Sequence, residues 1–160
     1  MIKKLLFNIV KIESYNSLWL LLLFLPVLGT AQALSGTYHI GASEPAPFNT
    51  ITNAIARINT SGVTGPVTFL LDDATYDASE TFPIVITAFT GASAVNTLTI
   101  KPNAGKTVLV QGNNNPSYNP LASVFDLNGA DYVIFDGNNG SVNKALTIYN
   151  NSTLHYAKKT

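Results

Sequence analysis

The sequence predicts an all-β solenoid, a chain that winds as a coil of stacked parallel sheets with one α-helix ahead of the first turn. Three observations carry that prediction. After residue 62 the chain is a succession of short runs dominated by β-branched and aromatic residues. Gly, Asn, Asp and Pro clusters separate the runs. Similar apolar patterns recur at steps in the twenties, the mark of a repeat architecture.

Residues 1–33 read as a leader to be set aside before the fold is considered. Lys3, Lys4 and Lys11 make a basic start, and an apolar run begins at Leu18–Leu25 and continues to Leu28. That run is shorter than the ~20 residues of a spanning helix. Ala31 and Ala33 supply the small-x-small pattern of a signal-peptidase site. A signal peptide and an exported chain are therefore expected, with an N-terminal anchor or a hydrophobic core helix as the competing readings.

Residues 34–62 hold a strand and the one convincing helix. Gly36–Ile40 is strand-like and closes at Gly41 and the loop Glu44-Pro45-Ala46-Pro47. Phe48, Ile51, Ala54, Ile55 and Ile58 recur at three- and four-residue steps, so they line one face of a helix. Asn49 is the expected N-cap, and Gly62 lies where the helix should stop. The helix, Thr50–Asn59, is expected to cover the open edge and apolar interior of the first turn.

Residues 63–150 supply the coils. The strands expected are Val67–Leu71, Phe82–Ile86, Thr97–Ile100, Thr107–Val110, Val124–Leu127, Tyr132–Phe135 and Ala145–Ile148. Leu98/Ile100, Phe125/Leu127 and Leu146/Ile148 share one pattern, at steps of 27 and 21 residues. Val108/Val110 and Val133/Phe135 form a second series at a step of 25. Two interleaved series make about three turns, close to the minimum for a stable repeat stack. Asn-rich turns suit such a stack, because Asn side chains can hydrogen-bond along the axis. A conventional β-sandwich with one helix is the alternative fold.

Residues 151–160 depart from the pattern, and nothing after Ile148 is suited to cover the last turn. The chain is therefore expected to be the front of a longer protein, or a truncated copy. Pairing with another chain through the open end is the alternative.

Composition narrows the function classes. Lys+Arg and Asp+Glu each number nine, and charged residues are only 11% of the chain, so no field exists to hold nucleic acid. Beyond the leader, six basic and eight acidic residues leave a net charge of −2. With no Cys, two His and one Met, disulfide scaffolds, thiol nucleophiles and haem sites are not expected. Stability must come from packing and hydrogen-bond ladders.

Five carboxylates are candidates for binding carbohydrate or a cation. Asp72-Asp73 closes a strand and offers hard oxygen ligands suited to Ca²⁺, but a solvated turn is the simpler reading, because a calcium loop normally gathers more carboxylates at close spacing. Asp126 is expected on an outer face, with Asp136 ending the neighbouring strand, an arrangement open to glycoside hydrolysis or a bridging cation. Asp131 and Asp136 sit in Gly-Ala-Asp and Asp-Gly contexts, where Asp commonly satisfies a turn. No catalytic residue, no metal centre and no cofactor beyond that Ca²⁺ are expected. His39 and His155 stand alone, Arg57 belongs to the helix, and Lys101 and Lys106 flank a turn. Tyr38, Tyr76, Tyr118 and Tyr149 could stack on sugars, but aromatics in this number usually pack in cores or turns.

Leu34–Gly41, Gly65–Phe69, Thr75-Tyr76, Ala94–Ile100 and above all Leu127–Gly137 resemble the start of exported cell-surface proteins of the Bacteroidetes, over nearly all of 34–150. That resemblance implies a pectate-lyase-like (pectin-lyase-like) right-handed parallel β-helix, often followed by further domains and a secretion-sorting module. It implies a secreted or surface scaffold, adhesin or carbohydrate-contacting module. The alternative is the N-terminal part of a polysaccharide lyase or glycoside hydrolase whose catalytic coils lie beyond residue 160.

Overall fold

In the computed structural model, residues 32–112 and 123–151 are described. The expected leader, except for Gln32 and Ala33, lies outside them, as do Tyr118, His155 and nearly all of the tail. The element order is β1 (Leu34–Ile40), α1 (Ile51–Ser61), β2 (Val63–Leu71), β3 (Thr75–Tyr76), β4 (Ile84–Thr87), β5 (Leu98–Pro102), β6 (Val108–Gly112), β7 (Phe125–Asn128), β8 (Val133–Phe135) and β9 (Leu146–Asn150).

Among the described residues every ladder is parallel, which excludes the sandwich. β1-β2-β5-β8 form sheet A, β3-β6-β9 form sheet B, and β4-β7 form sheet C. From β2 onward the chain visits A, B and C in strict rotation, so it makes a β-solenoid of about three turns. The only antiparallel pairing among the described residues is an isolated bridge between Thr87 and Gly129.

The number of turns agrees with the sequence, but the grouping of strands does not. Leu98 and Ile100 lie beside Val133 and Phe135 in sheet A. Val108 and Val110 lie beside Leu146 and Ile148 in sheet B. Phe125 and Leu127 lie beside Ile84 and Ile86 in sheet C. Equivalent positions are thus 31 to 41 residues apart, because a turn has three faces rather than two. All three faces send the same apolar types inward, so likeness between strands did not reveal which of them stack. β3, two residues long, is too short to show any alternation.

Alternation within each strand places the core. Val67, Phe69, Leu71, Leu98 and Ile100 point inward from sheet A. Tyr76, Val108 and Val110 do so from sheet B, and Ile84 and Ile86 from sheet C. Each buried Val, Leu, Ile or Phe side chain contributes roughly 1.5–3 kcal/mol from removal of its surface from water. Ile51, Ala54, Ile55 and Ile58 complete the core from α1, as the helical periodicity predicts.

The helix begins one residue later than expected. Thr50, not Asn49, is the N-cap: its backbone is extended and its hydroxyl accepts from the Asn53 N–H at 3.1 Å. Asn49 instead accepts from the Asn53 side-chain amide at 3.1 Å. Phe48 falls outside the helix altogether and stacks on Tyr38, with ring centroids 4.7 Å apart. Gly62 ends the helix with φ +68°. A side chain there would strike the Thr90 carbonyl, and one at Gly91 (φ +86°) would strike the Val63 carbonyl. Both glycines are therefore needed where the turn after β4 passes the start of β2 and Val63 N–H donates to Thr90 O at 2.8 Å.

Helix α1 packs against β1 and β4. Its Asn59 side chain donates to Val85 O at 2.9 Å and accepts from Thr87 N–H at 3.1 Å. One amide side chain thereby makes to the edge of β4 the two bonds that a further strand would make.

Candidate functional site

The outer surface of sheet A is the widest face of the coil and carries the ordered polar side chains. Thr37, Thr68 and Thr99 are register neighbours on β1, β2 and β5, with Ile134 of β8 continuing the column. Their chain neighbours Phe69 and Ile100 are buried, so the threonines point outward. Strand spacing sets their hydroxyls ~4.8 Å apart along the axis. A second outward column holds His39, Leu70 and Lys101. Asp136 follows it at the end of β8, its N–H donating to Ile100 O at 3.0 Å.

The charges on this face are paired across turns of the coil. His39 Nδ1 lies 2.8 Å from Asp72 Oδ2. The other oxygen of Asp72 accepts from Asn103 Nδ2 at 2.6 Å, so Asp72 bridges the turns before and after its own. Lys101 Nζ donates to Asp136 Oδ2 at 2.7 Å, and Asn138 N–H donates to Asp136 Oδ1 at 2.8 Å. The Lys101 hydrogen bond, then that of Asn138, holds the Asp136 carboxyl below the usual carboxylate range. Lys101 is thus a strand residue in an ion pair rather than a solvated turn flank.

The five candidate carboxylates do not converge. Asp72 and Asp73 sit at the corner after β2, where Asp73 Oδ2 accepts from Ala42 N–H at 2.7 Å. Ca²⁺ at this pair would have to displace His39, Asn103 and Ala42 from the oxygens. Asp126 does point outward, on β7 of sheet C, but β7 pairs with β4 and not with β8. Asp126 and Asp136 are therefore on different sheets, and Asp131 lies in the exposed turn between β7 and β8. Among the described residues no group of three or more His, Asp or Glu side chains is placed to hold a metal ion.

The tyrosines divide between core and surface. Tyr38 is half-buried against Phe48, and Tyr76 is fully buried. Tyr149 is exposed on sheet B, and Tyr132, which sequence reasoning passed over, is exposed just before β8 of sheet A. The Tyr76 hydroxyl donates to Ile40 O and accepts from Asp72 N–H at 3.0 Å and Asp73 N–H at 3.2 Å. It ties β1 to the corner that orients Asp72. Burial pushes its phenol well above the ordinary tyrosine value.

Two further residues escaped the sequence reading. Glu80, buried between β3 and β4, accepts from Ile51 N–H at 2.8 Å and Thr52 N–H at 2.7 Å at the start of α1. Asn139, also buried, donates to Lys106 O of the previous turn at 2.7 Å and accepts from Ser141 N–H and Val142 N–H. Among the described residues, Asn103 and Asn139 bond along the axis, to a carboxylate and to backbone respectively. No local motif announces such contacts, because partners such as Glu80 and Ile51 are 29 residues apart.

Among the described residues no helix is long and apolar enough to cross a membrane. Comparison with protein-family models, with curated proteins and with solved structures finds no match for this chain.

Proposed function

We propose that this chain is a non-enzymatic module of an exported cell-surface or secreted protein, a scaffold whose sheet A outer face contacts carbohydrate. The observation that carries the reading is the in-register threonine column flanked by charges already paired with one another. A column of hydroxyls meets a neutral glycan by hydrogen bonding without the cost of stripping water from free ions. The paired state of Asp72 and Asp136 favours structural roles over acid–base work, for which a poised carboxyl is required.

The fold details belong to the same proposal: a pectate-lyase-like, right-handed coil, with α1 as the cap of its first turn. Right-handedness follows the strong preference of parallel strand connections. The Asn59 bonds to β4 support the cap. Leu127 and Ile148 support continuation of the solenoid past its third turn. Both point inward, over buried Ile86 and Val110, yet are 50% and 43% exposed.

Retention of the chain on a panel of insoluble polysaccharides tests the function. Binding to a neutral glycan is expected, weakened several-fold by Thr68→Val together with Thr99→Val. Loss of nothing on that double substitution, or binding to no glycan, would overturn the reading. Depolymerisation of uronate polysaccharides, with or without Ca²⁺, would replace it with the lyase or hydrolase alternative.

A further inference from the structure

The described residues contain two Asn-Gly pairs, Asn128-Gly129 and Asn139-Gly140. Such a pair is where a chain most easily attacks itself, because glycine has no Cβ to hinder its own amide nitrogen. We propose that Asn128 is a site of spontaneous deamidation on the outer face of sheet C, and that the fold protects Asn139 from the same chemistry.

The two asparagines are held very differently. Asn139 is 5% exposed, and both ends of its side-chain amide are engaged. Its Nδ2 donates to Lys106 O at 2.7 Å, and its Oδ1 accepts from Ser141 N–H at 3.0 Å and Val142 N–H at 2.9 Å. The attacking group is engaged too, since Gly140 N–H donates to Asn138 Oδ1 at 2.6 Å. Reaction would require all of these bonds to open together in the interior of a turn.

Asn128 is the last residue of β7, and its side chain is exposed with no hydrogen-bond partner among the described residues. Gly129 follows in an open turn with φ +76° and nothing within 4 Å of where a Cβ would stand. Its N–H has one partner, Leu127 O at 3.0 Å, a bond local to the turn. That local bond, the isolated bridge to Thr87 and the last register pair of the β4–β7 ladder are the restraints on the approach of the Gly129 nitrogen to Asn128 Cγ.

The step balances with water as the co-reactant. The Gly129 nitrogen bonds to Asn128 Cγ, the Cγ–Nδ2 bond breaks, and the Gly129 amide proton leaves with the ammonia. Water then opens the five-membered imide at either carbonyl. One opening leaves Asp at 128; the other leaves an isoaspartyl link with one extra main-chain atom. Either product places a new carboxylate two residues from Asp126, on the same outward side of β7. The isoaspartyl product also breaks the register with Thr87.

The test is incubation of the folded chain in warm, mildly alkaline buffer, with a parallel sample in denaturant. Digestion and mass spectrometry then quantify aspartyl and isoaspartyl products at each asparagine. In the folded chain Asn128 is expected to convert at least roughly tenfold faster than Asn139, a ratio worth about 1.4 kcal/mol of barrier. In denaturant the two rates should converge. A folded-state ratio no larger than that in denaturant, or conversion led by Asn139, would overturn the proposal.

Discussion

Tyr76 shows how much one buried hydroxyl can hold. It satisfies two N–H groups and one carbonyl at the corner between sheets A and B. In Tyr76→Phe the Asp72 N–H and Ile40 O keep their bond to each other at 2.9 Å, but Asp73 N–H loses its partner, and a buried unsatisfied group costs about 1–3 kcal/mol. Urea unfolding should register a loss of that size. Because burial raises the phenol, the unfolded tyrosine ionises first. The contribution is whole below the ordinary tyrosine value near ~10 and drains away as pH climbs beyond it. The alkaline limb of stability should therefore be flatter in Tyr76→Phe than in the parent. Asp136 has the opposite sign. Its lowered folded value means the Lys101 pair stabilises above the unfolded carboxyl value of ~3.9 and is lost as pH falls through the folded value. Its exposure keeps the effect small. Carboxyl titration by NMR should place Asp136 below the ordinary carboxylate value, and Lys101→Met should raise it.

At the scale of the element, α1 is bound to the coil by polar contacts at both ends as well as by its apolar face. Glu80 closes its first turn, where a carboxylate also meets the positive end of the helix dipole. Asn59 secures its last turn to β4. Asn59→Ala removes two bonds at once, freeing the Val85 carbonyl and leaving the Thr87 N–H open to exchange. Hydrogen exchange at Thr87 should accelerate, while amides of β2 stay protected; unchanged exchange at Thr87 would show that the helix dipole and apolar face alone hold the edge. The predicted periodicity of the helix survives in the structure, whereas its cap moved from Asn49 to Thr50. Both residues are good cap types, and only the extended backbone at Thr50 selects between them.

For the whole molecule, stability should be graded along the axis, since each turn touches only its neighbours. On one side of the first turn, β2-β3-β4, β1 pairs with β2 and α1 packs against β4, and on the other side lies the second turn. At the far end, Leu127 on the last strand of sheet C and Ile148 on the last strand of sheet B are exposed. Exchange protection is therefore expected to fall from β2 through β5 to β8 and from β6 to β9. Equal protection of all strands would mean that the solenoid unfolds as one unit, with its last turn covered in solution. Substitution of Val133 by Asn should loosen β8 and β9 and leave β2 intact.

Alternating apolar residues, Gly and Asn turns and the three- and four-residue steps of Ile51–Ile58 are local signals. They were sufficient for strands, for one helix and for a coil of about three turns. Stacking partners are not local: Val108 resembles Val133 as closely as it resembles Leu146, and only closure of a three-faced turn decides between them. The same holds for chemistry. Asp72 could be read as a turn residue or an ion ligand until His39 and Asn103 arrived from the adjoining turns to occupy its oxygens. Side-chain type is written along the chain, but the neighbours that decide each side chain's charge and contacts are set by winding, across 30 residues or more.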